Sequence, residues 1–219
     1  MLITETVARA AIADGSELTL ARRGAEWMIH VSGRVLMSSR EHGSEEALAE
    51  QSLARCPKPR AVLVGGLGLG FTLRAVLDRV DSNARVTVAE LVPELVAWNR
   101  AHLAELHGDA LSDPRCEVVT ADVRHTLERA RGAFDVILLD VDNGPVAFSQ
   151  PQNGWLYAAP GLSCCHAALR PGGVLTVWSA GPSAEFERRL NASGFTAQTL
   201  QVPVRRGSRA KHTLFIATR

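Results

Sequence analysis

Residues 61–70, AVLVGGLGLG, constrain this chain more than any other stretch. A short apolar run, Ala61–Val64, ends at glycines 65, 66, 68 and 70, and an apolar-periodic helical pattern, FTLRAVLDRV, begins at once. Strand, glycine turn and helix form a unit suited to cradling a nucleotide. Glycine lets the backbone turn tightly and approach a ligand, and a helix N-terminus offers free N–H groups at the positive end of its dipole. A dinucleotide fingerprint, G-x-G-x-x-G, would need a third glycine at position 71, which is Phe71. The chain carries Gly66-x-Gly68-x-Gly70 instead. Alone, the motif leaves a nucleotide site and a plain structural corner both open.

The pattern around that unit supplies an architecture. Strands are expected at Ala61–Val64, Arg85–Glu90, Cys116–Thr120, Val136–Asp140 and Val174–Trp178. Helices are expected at Phe71–Asp78, Pro93–Leu106, His125–Arg131, Gly161–Leu169 and Ser183–Ala192. Two late β-runs, Thr196–Val202 and Thr213–Thr218, flank a basic turn. This alternation predicts an α/β fold: a doubly wound, mostly parallel sheet with helices on both faces and one antiparallel strand. Ahead of it, Thr4–Ala11, Glu17–Arg22 and Glu26–Leu36, with turn residues at Asp14-Gly15, Arg23-Gly24 and Ser32-Gly33, predict a small β-meander. A helix over residues 44–55, with Ser44 as N-cap, follows. The expected organisation is a β region over 1–43 and the main domain over 44–219.

Bulk properties exclude several classes. The 219 residues, 46% hydrophobic and 21% charged, suit one globular domain with a small appendage. A net charge of +1 gives no electrostatic footprint for nucleic acid. The cluster Arg205-Arg206-Gly207-Ser208-Arg209-Ala210-Lys211 reads as a solvated hairpin turn. The four cysteines show neither C-x-x-C nor a histidine spacing suited to zinc, so no metal is expected. Reduced thiols, no signal peptide and no apolar run of membrane-spanning length together lead to an expectation of a cytoplasmic protein without membrane partners.

In such a sheet, ligands sit at the carboxyl ends of the strands. Glu90 closes the second main strand, 20 residues after Gly70, where a carboxylate can accept from both ribose hydroxyls. Asp122 follows the third strand. It suits an adenine amine and equally suits the N-cap of the next helix. Asp140 closes the fourth strand, ahead of Asp142 and Asn143, and is placed to bind a substrate amine or remove its proton. A carboxylate satisfied by loop N–H groups fits Asp140 too. Trp155 and Tyr157 lie in the loop beyond, as an acceptor wall or as core.

The order SSREHGSEEALA, AVLVGGLGLGFTLRAVL, VTVAEL, SDPRCEVVTADVRHTL, FDVILLDVDNGP and ALRPGGVLTVWS resembles the spermidine synthase (polyamine aminopropyltransferase) branch of the class I S-adenosylmethionine (SAM) methyltransferase superfamily. The resemblance runs over about residues 15–180. It implies a Rossmann-like fold binding SAM, decarboxylated SAM or methylthioadenosine. By position, Gly66, Gly68 and Gly70 would line the nucleoside, Glu90 take the ribose, Asp122 the adenine, and Asp140 serve as general base. It is also compatible with a homodimer formed through the N-terminal β region.

Three departures stand out. Gly68 replaces the aspartate of the family's glycine motif, Ser44-Glu45-Glu46 replaces its Tyr-Gln/His-Glu, and Asn143 replaces the second acid of its Asp-x-x-Asp. All three handle amines. The expectation drawn from them is a methyltransferase on a small-molecule, amine-type acceptor, with Asp140, Asp142 and Asn143 orienting that acceptor. The alternatives are an aminopropyltransferase, with Glu45, Glu46 or Asp142 as amine ligands, and a nucleoside-binding protein without turnover.

Overall fold

Buried β-branched and leucine side chains make Ala61–Gly65 (β5) the natural centre of a sheet, with Val62, Leu63 and Val64 fully inaccessible. In the computed structural model, which describes residues 2–12, 15–141, 145 and 154–219, β5 is flanked on both sides by parallel strands. The remaining strands of this sheet are Arg85–Glu90 (β6), Cys116–Thr120 (β7), Phe134–Leu139 (β8), Leu169–Ser179 (β9), Thr196–Pro203 (β10) and Lys211–Thr218 (β11). Their order is β10-β11-β9-β8-β5-β6-β7. The five strands from β5 to β9 run parallel, while β11 is antiparallel to both its neighbours. The doubly wound, mostly parallel sheet expected from the sequence is thus present. The chain leaves β5 towards β6 on one side and returns to β8 on the other, so the end of β5 is the topological switch point.

Helices Gly43–Arg55 (α1), Phe71–Leu77 (α2) and Pro93–Ala101 (α3) precede β7, and Val123–Arg129 (α4), Ala159–Ala168 (α5) and Ala184–Ala192 (α6) follow it. One core layer joins α1 and α2 to the sheet through Leu48, Leu53, Leu73 and Val76 against Val62, Val64, Val86 and Leu138. The other joins α4, α5 and α6 through Leu127, Leu162 and Phe186 against Leu63, Ile137 and Phe215. Strand alternation assigns neighbouring residues of β5 and β8 to opposite layers.

Ahead of α1 lies an antiparallel four-stranded meander, Glu5–Ala11 (β1), Glu17–Arg23 (β2), Glu26–Val31 (β3) and Arg34–Ser38 (β4). The single run expected at Glu26–Leu36 is two strands, because Ser32 and Gly33 both take positive φ and reverse the chain. A third cluster, Leu18, Leu20 and Ile29 with Leu69, Leu95 and Trp98, seats the meander against the glycine loop and α3.

Several boundaries differ from the periodicity. The helix expected over Pro93–Leu106 stops at Ala101 and gives way to a 3-10 turn at Ala104–His107. Ser44 is not an N-cap. His42 holds that place, and the Ser44 hydroxyl is buried among side chains. Asp135 accepts from the N–H groups of Arg60 and Ala61 and from Arg170 Nη1. The basic segment 205–211 is the largely exposed turn between β10 and β11.

Candidate functional site

The glycine loop bends where the sequence places it. Gly66, Gly68 and Gly70 all have positive φ, at 90°, 52° and 86°. A Cβ on Gly66 would overlap the Asp140 carbonyl oxygen, so this glycine lets β5 and the end of β8 close on each other. At Gly70 the obstacle is the His107 ring, 2.6 Å from where a Cβ would stand. At Gly68 it is the Met37 sulfur from β4, at 3.0 Å. Leu67 and Leu69 anchor the loop in the core, and Asn99 Nδ2 of α3 donates to the Gly68 carbonyl at 2.9 Å.

Glu90 is almost fully buried at the end of β6. Its Oε2 accepts from the Leu67 N–H and its Oε1 from the Val92 N–H, both at 2.8 Å, which ties the glycine loop to the start of α3. Burial pushes its carboxyl above the usual range, opposed by the N–H groups of Val92, Leu67, Leu91 and Gly68. Asp122 caps α4 by accepting from the Arg124 N–H at 2.8 Å, the alternative its sequence position left open.

Asp140 continues from β8 alongside the glycine loop. Its N–H donates to the Gly65 carbonyl, and its Oδ2 accepts from the Thr72 hydroxyl of α2 at 2.6 Å. The half-buried Glu45 stands on α1, within range of the Asp140 charge. Burial raises both carboxyls, and Asp140 raises Glu45 further through like-charge repulsion. The side-chain charges acting on Glu45 are those of Asp140 and Glu46, both negative. A pair of acids sharing one poorly solvated place suits a cationic ligand, because a cation relieves both burial and repulsion.

Glu45 is held by Ser44, whose hydroxyl donates to Glu45 Oε2 at 2.5 Å. Ser44 Oγ also accepts from Trp178 Nε1 at 3.0 Å and lies 2.9 Å from His212 Nδ1. Met37, Thr72, Trp178 and His212 are site neighbours that the sequence reading did not single out. No motif marks them, and Trp178 and His212 lie far along the chain from Ser44. Tyr157 belongs to the core and donates to the Val141 carbonyl at 3.0 Å. Trp155 packs beneath the Arg124 guanidinium, 4.5 Å from its ring centre. Asp142 and Asn143 lie outside the described residues. Among the described residues no cluster of His, Cys, Asp or Glu could hold a metal, and no helix is long and apolar enough to cross a membrane.

The family described as "Spermine/spermidine synthase domain" matches residues 41–198, well over half of the chain. The chain belongs to this family. Among the relatives of the chain is polyamine aminopropyltransferase 2 of Pseudomonas aeruginosa, 39% identical over 136 residues. That match covers 60% of this chain and 37% of the relative. Polyamine aminopropyltransferase 2 of Hyperthermus butylicus is 35% identical over 147 residues, covering 65% of this chain and 46% of the relative. The chain thus spans less than half of either relative's length. The crystal structure of spermidine synthase from Thermotoga maritima superposes with a TM-score of 0.79 at 20% identity, covering 97% of this chain and 72% of that one. A spermidine synthase solved in complex with the transition-state analogue AdoDATO gives a TM-score of 0.78.

Membership in this family corrects the expectation of methyl transfer. The relatives that the chain matches are aminopropyltransferases. Gly68, Ser44-Glu45-Glu46 and Asn143 are local departures within a chain that matches the family over residues 41–198. The inference from them set three changes in the amine-handling positions above the rest of the pattern, although the aminopropyltransferase alternative had already named Glu45, Glu46 or Asp142 as amine ligands. Glu45, one of those candidates, is carried on α1, where the Asp140 charge acts on it.

Proposed function

We propose that this chain transfers an aminopropyl group from decarboxylated SAM to an amine of a polyamine. The observation that carries the reading is the pair of half-buried acids, Asp140 and Glu45, whose charges act on each other near the switch point of a spermine/spermidine synthase fold. In this reading the glycine loop and Glu90 hold the nucleoside, with Asp122 beside the base. Asp140, oriented by the Thr72 hydroxyl, accepts the proton of the attacking amine. Burial keeps its carboxyl basic enough for that task. The amine nitrogen attacks the methylene carbon on the sulfonium, the C–S bonding pair goes to sulfur, and methylthioadenosine departs. The protein's main contribution is alignment and exclusion of water around the in-line displacement. Asp142 and Asn143 follow Asp140 in sequence and are proposed to position the acceptor.

The test is incubation with decarboxylated SAM and either putrescine or spermidine, with chromatographic detection of methylthioadenosine. Formation of methylthioadenosine that depends on the polyamine supports the reading. Calorimetry should show decarboxylated SAM binding at least about tenfold more tightly than SAM, or about 1.4 kcal/mol. Equal affinity with no transfer would overturn the reading in favour of a nucleoside-binding protein without turnover.

A further inference from the structure

The Ser44 hydroxyl is fully buried and touches three partners: the adjacent Glu45 Oε2 at 2.5 Å and, from distant parts of the chain, His212 Nδ1 at 2.9 Å and Trp178 Nε1 at 3.0 Å. The indole nitrogen can only donate, so it occupies one lone pair of the serine oxygen in every state. The other two contacts are free to exchange direction. Either Glu45 donates to Ser44 and Ser44 to His212, or His212 donates to Ser44 and Ser44 to Glu45. These arrangements differ by one proton moved from Glu45 to His212. The placement is well pinned. The Gly43 N–H donates to the Val204 carbonyl, and the Arg205 backbone leaves no room there for a side chain. The Trp178 ring packs edge-on against His212, with centres 4.5 Å apart.

We propose that Ser44 and His212 form a proton path from Glu45, so that an ammonium binding beside Asp140 expels the Glu45 proton along it. The inference rests on the amine-binding reading above. Before binding, Glu45 is protonated and its hydrogen bond with Ser44 runs from Glu45 to Ser44, the reverse of the direction Ser44 takes towards a Glu45 carboxylate, and His212 is neutral with its proton on Nε2. The arriving cation favours the Glu45 carboxylate. The Glu45 proton passes to Ser44 Oγ as the Ser44 proton passes to His212 Nδ1. His212, half-buried at the head of β11, then gives its Nε2 proton to water. Nothing is oxidised or reduced, and one proton leaves for each cation bound. Glu45 faces Asp140 from β8 and Glu46 from its own helix, and His42 in turn pairs with Glu46. His212 faces Glu41 and the Trp178 ring. Burial favours the uncharged forms of both Glu45 and His212, which matches the starting arrangement. Ser44 and His212 are positioning residues in this scheme, since they act only through Glu45.

The experiment mixes the protein with putrescine in weakly buffered solution containing a pH indicator, by stopped flow at neutral pH. Calorimetry measures binding in parallel. The wild type should release about one proton per diamine bound. Glu45→Gln should bind with no release. Ser44→Ala and His212→Gln should release the same quantity roughly tenfold more slowly. His212→Gln keeps a polar side chain at a half-exposed strand end, so it stands in if Ser44→Ala misfolds. Binding without release in the wild type, undiminished release from Glu45→Gln, or wild-type release rates in both path variants would overturn the proposal. If putrescine binds to no form of the protein, the amine site itself falls, and the path falls with it.

Discussion

At the residue scale, Gly66 and Gly68 separate two costs that the motif alone does not distinguish. Both lie at positive φ, where alanine costs about 1–2 kcal/mol. A Cβ at Gly66 also overlaps backbone at Asp140, whereas one at Gly68 meets only the flexible end of Met37. Gly66→Ala should therefore cost about 3 kcal/mol or more and Gly68→Ala about 1–2, as measured by urea unfolding. Glu45 gives a pH dependence with a definite sign. Its folded carboxyl is raised above the unfolded value of about 4.3, so its contribution is fully present below that pH. That contribution is lost as pH rises towards the folded value. Glu45→Gln should gain at least about 1 kcal/mol over wild type on going from pH 5 to pH 8. A constant difference between the two proteins across that range would count against the buried pair.

At the scale of elements, the loops that tie strand ends together carry more than the helices' own propensities. Asp113 and Arg115 form a two-pronged pair at 2.7 and 2.9 Å just before β7, and Arg115 Nη1 also donates to the Val80 carbonyl beyond α2. The Arg115 hydrogen bonds hold the Asp113 carboxyl down at about 2. Its contribution is present above the unfolded value of about 3.9 and is lost as pH falls through about 2. Asp113→Asn should lower stability at pH 6 by about 1–2 kcal/mol and have little effect near pH 2, as read from unfolding midpoints. Glu90 acts on elements too, because it joins the glycine loop to α3. Glu90→Ala should weaken nucleoside binding by roughly 1–3 kcal/mol, and calorimetry with methylthioadenosine checks it.

At the scale of the molecule, the meander shares one apolar cluster with the glycine loop and α3 of the main domain, and Met37 of the meander lies on the glycine loop. The two parts should unfold together. Ile29→Ala, at a fully buried position, should cost about 2–5 kcal/mol within a single transition. A separate early transition for the meander would show that this contact is weaker than its burial implies. The succession of strands and helices was readable from the sequence because short apolar runs alternate with helical periodicity between turn residues, while the order of the strands in the sheet came from the structure. The Ser32-Gly33 reversal was visible as turn chemistry, yet its consequence, two strands in place of one, depended on pairing with β3. Helix ends were harder to read. Apolar spacing continues through Leu106, while the backbone leaves the α-helix after Ala101.

Local chemistry by itself determined the parallel core, the glycine corner at Gly66, Gly68 and Gly70, and the acids that end β6 and β8. Those features follow from periodicity and from backbone angles, which depend on near neighbours. Tertiary structure alone decided that Glu45 would meet Asp140, that Met37 would cover Gly68, and that Ser44 would sit between Trp178 and His212. Those contacts join segments up to 168 residues apart. Charge repulsion, desolvation and hydrogen-bond direction act through distance in space, and no spacing along the chain encodes that distance.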